Sequence, residues 1–341
     1  MSRTGGYTFT YLFDIPCAGL PCDPAETDII LTYLLQLFHE KGITRHVAFK
    51  GGTMLRKMIF GPRGRYSTDL DFTRRTDTSD EGVMELMLDA LSQSYHGLSF
   101  RFDRDKDWYF TDDGLAANPV CFRAGNEKGV KIKLQVSLRE KSVLAARAVP
   151  QVKQDYFLLL PFKPVDIPSL TYEEAVSEKI RAASQRSKIR DLYDLSEVAS
   201  RPLTRDLVRP LAVITLWESK KGNLNYAQFA AQIEGGKDYD LRDLENLLRK
   251  DERPDVSAMI ARVKESFRFL GQMSELESKL AQDKARRCKA EIEQLKAEVA
   301  IRLHKLQSSR ACISRWSFAM VGRQGGLKRS AGKVIVDKYY R

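Results

Sequence analysis

Two aspartates separated by one residue, Asp69 and Asp71, are the side chains of this sequence best suited to do chemistry. They lie in the segment STDLDFTR, whose composition predicts a β-strand. Because side chains alternate along a strand, both carboxylates should project from one face while Leu70 and Phe72 point the other way. Two carboxylates at this spacing can share divalent cations, and oxygen ligands suit Mg²⁺ or Mn²⁺ beside the phosphates of a nucleotide. We therefore predict that Asp69 and Asp71 hold metal.

A glycine pair and a threonine stand before these aspartates, directly after the predicted strand HVAFK. Glycines let backbone N–H groups approach a triphosphate closely, and Thr53 adds a hydroxyl at the start of the predicted helix TMLRKMIF. Lys57 follows about one helical turn later and could reach phosphate oxygens. Each piece alone is a weak signal, and their order makes the combination specific. The predicted nucleotide-binding residues of this stretch are Gly51, Gly52, Thr53, Lys57, Arg65 and Ser67.

A second group of charged residues lies in the segment EKIRAASQRSKIRDLYDL, residues 178–195. Lys179, Arg186 and Arg190 recur at helical spacing, so their side chains could line one face toward a triphosphate or an RNA backbone. The same pattern also suits a solvated helix that carries Arg–Asp pairs. The spacing alone leaves both interpretations open.

The elements around these motifs predict a mixed α/β fold of the α+β type. A helix over residues 23–42 begins with a capping pattern and is closed by Gly42. Strands are predicted in HVAFK, STDLDFTR, LSFRFDRD, PVCFRAG and VKIKLQVSL, and an exposed loop in DKDWYFTDDG. From Thr171 onward the pattern is helical, and the longest helical stretch, over residues 256–306, is expected to break near Gly271. The predicted domains are a core over 1–165, a helical domain over 166–308 and a basic tail over 309–341.

The composition bounds where the protein works and what it binds. The formal net charge of +11 suits a polyanionic partner such as nucleic acid, although solubility alone could also explain it. The tail, with Trp316, Tyr339 and Tyr340, could contact phosphates and stack on bases, or be a loosely docked terminus. The five cysteines form no CxxC pair, and we find neither a signal peptide nor an apolar stretch long enough for a membrane. We therefore expect a cytoplasmic protein with no membrane partner.

The strand, Gly-Gly-Thr, helix and D-x-D strand in this order resemble the nucleotidyltransferase superfamily. The string GGTxLxK followed by RxSxDLDF resembles its AbiEii-type branch, the toxin half of bacterial toxin–antitoxin and abortive-infection systems. Members of that branch carry a lysine on a helix and then an R-D-x-x-D element, which Lys179, Arg190, Asp191 and Asp194 match. By motif, the resemblance covers residues 45–200.

The resemblance implies a nucleotidyltransferase-like mixed-sheet core, a helical domain that completes the cleft, and an NTP substrate with Mg²⁺ or Mn²⁺. It implies transfer of a nucleotide to the 3′ end of tRNA, which would block translation as part of phage defence, and a cognate antitoxin as partner. The implied catalytic residues are Lys57, Asp69, Asp71, Lys179 and Asp191, and the implied nucleotide-binding residues of the second motif are Lys179, Arg186 and Arg190.

One position departs from the superfamily pattern. Many members place a third carboxylate on a neighbouring strand, where this chain has Gln135. An amide oxygen can bind a metal ion, but it cannot take up a proton near neutral pH. Asp191 is then the candidate general base. Two other functions stay open: nucleotide transfer to a protein hydroxyl, and a catalytically degenerate module that binds nucleic acid or a partner.

Overall fold

The computed structural model describes residues 22–103, 106–111, 114–137, 141–235, 239–249 and 251–323, the last fifteen of these by their backbone alone. The chain divides into one compact unit of residues 1–296 and a second of residues 297–341. The predicted mixed α/β fold is confirmed, because a seven-stranded mixed sheet is combined with helices in the first unit.

Within the described ranges, ten strands form two sheets. In chain order they are β1 Val47–Lys50, β2 Asp69–Arg74, β3 Ser99–Arg101, β4 Trp108–Thr111, β5 Gly114–Ala117, β6 Val120–Arg123, β7 Asn126–Lys131, β8 Lys133–Ser137, β9 Arg147–Val149 and β10 Ile167–Ser169. The large sheet has the order β4-β5-β8-β2-β1-β10-β9, and β3, β6 and β7 form a small antiparallel sheet. Strand β2, which carries both aspartates, lies at the centre, antiparallel to β1 and parallel to β8.

Eleven α-helices occur in the described part of the chain. They are α1 Cys22–Glu40, α2 Gly51–Met54 with its π-helical continuation Leu55–Phe60, α3 Asp80–Leu91, α4 Tyr172–Gln185, α5 Ile189–Ala199, α6 Arg205–Glu218, α7 Tyr226–Glu234, α8 Leu241–Glu245, α9 Val256–Ser266, α10 Glu275–Gln282 and α11 Lys289–Arg323. None of those within the described ranges is both long and apolar enough to cross a membrane.

Strand β2 has one apolar and one polar face, as its alternation predicts. Leu70 and Phe72 are fully buried, and the Phe72 ring packs against Phe38 of α1 and Phe49 of β1 at centroid distances of 6.1 and 5.6 Å. Burial of two such side chains contributes on the order of 3–6 kcal/mol. This packing fixes which face of β2 turns inward, and it therefore leaves the aspartates on the opposite face.

Two predicted helix boundaries are confirmed. Gly42 follows α1 with a φ of 75°, a left-handed conformation that glycine adopts without strain. The hydroxyl of Thr171 accepts a hydrogen bond from the backbone N–H of Glu174 at 3.3 Å and so caps α4. The long helical stretch also breaks as expected, since a 3₁₀ turn over Arg268–Gly271 separates α9 from α10.

Three local predictions are wrong. The segment DKDWYFTDDG is not a loop, because Trp108–Thr111 forms the edge strand β4 and pairs with Gly114–Ala117, strand β5. Its acidic flanks suggested a solvated turn, but the aromatic residues between them are strong strand formers. The strand predicted over residues 130–138 is two strands in different sheets. The basic residues of 178–195 do not share one helix, since residues 186–188 interrupt it between α4 and α5.

The predicted domain boundaries stay predictions. The large sheet continues beyond the proposed end of the core at residue 165, because β10 is formed by residues 167–169. In the tail, the backbone of α11 extends to Arg323. The aromatic side chains proposed to stack on bases, Trp316, Tyr339 and Tyr340, lie outside the described residues.

Candidate active site

A cavity of about 560 Å³ lies against the polar face of the large sheet, and helix α4 forms another of its walls. Strand register brings its central residues together. On β8, Lys133 lies opposite Asp69 and Gln135 opposite Asp71, while Lys50 of β1 faces Asp71 from the other side. All five side chains line the cavity. The D-x-D motif is therefore flanked on both sides by a lysine, and the predicted third-acid position is indeed next to it.

The two aspartates differ in their surroundings. Asp69 accepts a hydrogen bond from the Thr68 hydroxyl at 3.0 Å. Burial and the neighbouring charge of Asp69 raise the pKa of Asp71, and Lys50, Lys179 and Lys133 act in the opposite direction. A bound cation would relieve the repulsion between the two carboxylates.

The glycine pair makes room for side chains of the site. Gly51 has a φ of +82°, and a Cβ atom at this position would overlap the carboxylate of Asp71. A Cβ atom at Gly52 would lie 2.5 Å from the guanidinium of Arg65 and 3.5 Å from the carboxylate of Asp194. Both glycines line the cavity at the start of α2. Any side chain here would therefore displace a charged group of the site, whether or not phosphates also approach the backbone.

Lys179 and the two aspartates of the R-D-x-x-D element, Asp191 and Asp194, form a buried ion cluster at the helical wall. The Lys179 ammonium lies 2.9 Å from Asp191 and 2.7 Å from Asp194. Arg65 reaches across from the sheet side and donates two hydrogen bonds to Asp194, from Nε at 2.9 Å and Nη2 at 2.8 Å. Arg186 pairs with Asp191 at 2.8 Å. The structure thus brings together residues more than a hundred positions apart that the sequence assigned to one site.

Asp191 is poorly suited to act as a general base. Burial alone would raise its pKa, but Lys179 and Arg186 outweigh this effect and hold the pKa well below its usual range. A carboxylate so strongly held in its ionised form has little affinity for a proton. We therefore interpret Asp191 as a group that orients two cations, and we no longer assign the base to it.

Two of the predicted phosphate ligands lie elsewhere. Lys57 is 1% exposed, and its ammonium donates to the Asp28 carbonyl at 2.8 Å and the Thr32 hydroxyl at 2.9 Å. It also lies 3.2 Å from the Asp28 carboxylate. The Thr53 hydroxyl donates to the backbone carbonyl of Asp69. Neither residue lines the cavity. Lys57 therefore anchors α2 to α1, and Thr53 ties α2 to the strand that carries the aspartates.

Ser67 and Arg190 do line the cavity, and Arg190 is held by an ion pair with Asp243 at 2.9 Å. Sequence reasoning missed other charged residues of the wall, among them Lys50, Lys133, Glu174 and Glu178. A signal existed for Lys133, because it alternates with Gln135 along the predicted strand. For the other three the signal is weaker, since their placement depends on how the strands pair and how α4 packs on the sheet.

Glu174 fixes one rim of the cavity. Its buried carboxylate accepts hydrogen bonds from the backbone N–H groups of Val143 at 2.6 Å and Leu144 at 3.2 Å. Burial raises its pKa to about 7, although the two backbone hydrogen bonds act to lower it. Because Ser142 and Val143 also line the cavity, Glu174 holds this part of the wall in place.

The donor set fits a divalent cation with a small number of protein ligands. No three His, Cys, Asp or Glu side chains cluster as a metal site within the described ranges. Two carboxylates and the amide oxygen of Gln135 nevertheless meet on one face, and oxygen donors with open positions suit Mg²⁺ beside phosphates.

The charge of the cavity favours an anionic ligand. Its wall carries ten lysines or arginines against six aspartates or glutamates. Cations held by carboxylates are oriented before a ligand arrives, so they can bind phosphate oxygens with little loss of side-chain freedom. The arrangement can therefore hold a polyphosphate between the D-x-D strand and the helical wall.

Comparison with known proteins agrees with this chemistry. The profile of a family described as nucleotidyl transferase AbiEii toxin, type IV TA system, matches residues 33–282. The structure of MenT4, the nucleotidyltransferase toxin Rv2826c from Mycobacterium tuberculosis H37Rv, is similar, with a TM-score of 0.70 and 25% identity over 87% of this chain and 99% of that chain. JHP933 from Helicobacter pylori has a TM-score of 0.42 and 14% identity over 81% and 95%, too distant to bear on function. None of the curated proteins matches the sequence.

Proposed function

The chain belongs to the AbiEii nucleotidyl transferase toxin family of type IV toxin–antitoxin systems, and from this premise we propose that it transfers a nucleoside monophosphate from an NTP to the 3′ end of tRNA. The membership confirms the resemblance seen in the motifs, and it implies an antitoxin as partner. Translation in the cytoplasm would then be the process that the toxin blocks, and phage defence the setting in which it acts.

One observation carries the proposal: the D-x-D carboxylates and a cluster of preoriented cations face each other across a single cavity. In the reaction, the acceptor hydroxyl loses its proton to solvent water and forms a bond to the α-phosphorus, the bond between that phosphorus and the α–β bridging oxygen breaks, and pyrophosphate leaves. Lys179 and Arg65 would bind and orient the triphosphate, and their charges would stabilise the leaving group.

Asp69, Asp71 and the amide oxygen of Gln135 would hold Mg²⁺ or Mn²⁺. When bound, the ion neutralises phosphate charge and orients the reacting oxygens. The chain's own contribution is the fixed position of these ligands, which strand register sets at the centre of the sheet. The Thr53 contact to the Asp69 backbone adds to this rigidity.

The excess of basic side chains in the cavity wall supports a polyanionic acceptor over a protein hydroxyl. The rival that Gln135 favours is a module that binds nucleotide or RNA without catalysis, because an amide and not a carboxylate lies opposite Asp71 on β8. The two alternatives differ in a simple respect. A protein acceptor would become labelled by the NTP, whereas a degenerate module would label nothing.

The test is transfer of ³²P from each α-labelled NTP to total bacterial tRNA in the presence of Mg²⁺. We expect labelled RNA with the native chain, and none with the Asp69→Ala/Asp71→Ala variant. The matched control is Asp89→Ala/Asp206→Ala, which removes two exposed aspartates that do not line the cavity and should keep the activity. Label on protein alone, or no label with any NTP, would contradict the proposal.

A further inference from the structure

A second cavity of about 480 Å³ adjoins the first. We name it the side groove and define it by six of its lining residues: Ser187, Lys188, Asp240, Arg242, Asp243 and Asn246. Lys188 lines both cavities, so the side groove meets the candidate active site at this residue. The break between α4 and α5 creates the junction, because residues 186–188 leave the helix there.

A hydrogen bond and an ion pair connect the walls of the side groove to neighbouring helices. The Gln232 amide donates to the Ser187 hydroxyl at 2.6 Å, which ties the interhelical segment to α7. The ion pair of Arg190 with Asp243, at 2.9 Å, ties the start of α5 to α8. Because both sides of the groove are fixed to neighbouring helices, its shape is set by the fold.

The charges of the side groove leave two cations facing outward. Its two carboxylates are engaged, because Asp243 pairs with Arg190 and Asp240 accepts the backbone N–H of Arg242 at 3.0 Å as the cap of α8. Lys188 and Arg242 are exposed, and neither side chain forms an ion pair within the described part of the chain. With Arg190 counted against Asp243, two exposed cations stand against the single carboxylate of Asp240, so the groove carries a formal net charge of +1.

The position of these cations fits a ligand longer than a triphosphate. Lys179 and Arg65 would bind the phosphates of an NTP in the active site, and neither of them lines the side groove. A polyanion that enters the active site past Lys188 would leave its remaining phosphates along the groove. A protein acceptor has no phosphates and would gain nothing from Lys188 and Arg242.

We propose that the side groove binds the phosphate backbone of the acceptor RNA, whose 3′ end enters the active site beside Lys188. The identity of the acceptor as RNA rests on the proposed function, whereas the phosphate contacts of Lys188 and Arg242 are a separate claim about binding. Contacts to phosphates are independent of sequence, so the groove orients the strand without selecting its bases.

The test measures binding without catalysis. Fluorescence anisotropy of a 5′-fluorescein single-stranded RNA of about twelve nucleotides is recorded against the full chain over a series of KCl concentrations. Loss of two phosphate contacts should lower the slope of log Kd against log salt by about 1.4, which corresponds to about 25-fold weaker binding near 0.1 M KCl. We expect these changes in Lys188→Ala/Arg242→Ala.

The matched control is Lys41→Ala/Arg45→Ala, which removes two exposed cations that line neither cavity, and it should bind RNA as the native chain does. An unchanged slope in Lys188→Ala/Arg242→Ala, equal weakening in the control, or no RNA binding by the native chain at low salt would each overturn the inference. The circular dichroism spectrum should stay the same in both variants, and NTP affinity should stay the same in the control.

The transfer assay keeps this inference distinct from the proposed function. A chain that binds RNA through Lys188 and Arg242 but transfers no label would refute the transferase and leave the groove standing. A chain that labels RNA equally well in native and Lys188→Ala/Arg242→Ala form, with the same Michaelis constant for RNA, would refute the groove and leave the transferase standing.

Discussion

Replacement of Asp194 by asparagine removes a buried charge that holds cations from two parts of the fold. Asp194 is 1% exposed. It accepts two hydrogen bonds from Arg65 and forms an ion pair with Lys179. The asparagine side chain has nearly the same shape. It replaces one carboxylate oxygen by an N–H donor, which would face a cation at 2.7–2.8 Å.

The contacts that remain determine how much free energy of unfolding Asp194→Asn should lose. Lys179 keeps its ion pair with Asp191 at 2.9 Å. Arg65 keeps a hydrogen bond from Nη1 to the Tyr66 carbonyl at 3.1 Å but loses its charged partner. Breaking a buried pair by removing one partner typically costs 3–5 kcal/mol, and the remaining contacts place the expectation at the lower end, about 3 kcal/mol. The pKa of Lys179 should also fall, because Asp194 and Asp191 now raise it against the effect of burial.

Urea unfolding at pH 7.5, followed by circular dichroism, measures this cost as a lower transition midpoint at an unchanged m-value. The control is Asp77→Asn, which removes the charge from an ion pair with Lys141 in which the Asp77 side chain is 91% exposed. Exposed pairs contribute about 0–1 kcal/mol, so the control should unfold almost as the native chain does. If Asp194→Asn lost less than about 1 kcal/mol, Asp194 would not hold the site together as its contacts indicate.

Two further predictions concern the rim and the metal ligands. The pKa of Glu174 is raised to about 7, so between pH 4.5 and 7 this carboxyl is more often protonated in the folded state than in the unfolded state. The stability that its protonation contributes is therefore lost as the pH rises through that window. The free energy of unfolding of Glu174→Gln, relative to that of the native chain, should therefore rise by about 3 kcal/mol between pH 4.5 and pH 8. A difference between the two proteins that does not change with pH would count against the raised pKa. Gln135→Glu adds a third carboxylate beside Asp71 and should raise the affinity for Mn²⁺ about tenfold in the absence of NTP. Electron paramagnetic resonance measures this affinity. The control Gln135→Asn adds no charge and should leave the affinity unchanged.

The central strand and its polar face could be predicted from the sequence because the information is local. Alternation of apolar and acidic residues placed Asp69 and Asp71 on one face, and packing of Phe72 confirms that the other face is buried. Alternation also placed Gln135 and Lys133 together on β8. Their pairing with Asp71 and Asp69 depends on the order of strands, which the pattern of a single strand does not contain.

Lys57 shows why side chains are harder to assign than strands. Its position one turn after a glycine-rich start suggested a phosphate ligand, but the aspartate that binds it is 29 residues earlier, on α1. Burial and the nearby Arg56 lower the pKa of Lys57 to about 8, while Asp28 opposes this effect. Nothing in the local sequence distinguishes a lysine that faces the cavity from one that faces the neighbouring helix, because a rotation of α2 by half a turn would exchange the two.

The distribution of charge across the cavity suits the binding of a metal-bound nucleotide on the sheet side and of the leaving pyrophosphate on the helical side. On the sheet side, Lys50 and Lys133 stand opposite Asp71 and Asp69, so the two carboxylates are nearly balanced and a dication there adds charge that attracts a nucleotide. On the helical side, the cations of the buried cluster outnumber the carboxylates that hold them, because Asp191 alone is shared by Lys179 and Arg186. A triphosphate bound between these sides would have its metal-binding oxygens toward the sheet and its leaving pyrophosphate toward the helices. Such a polarity would give the proposed transfer a direction, and Lys188, which lines both this cavity and the side groove, would be left for the acceptor.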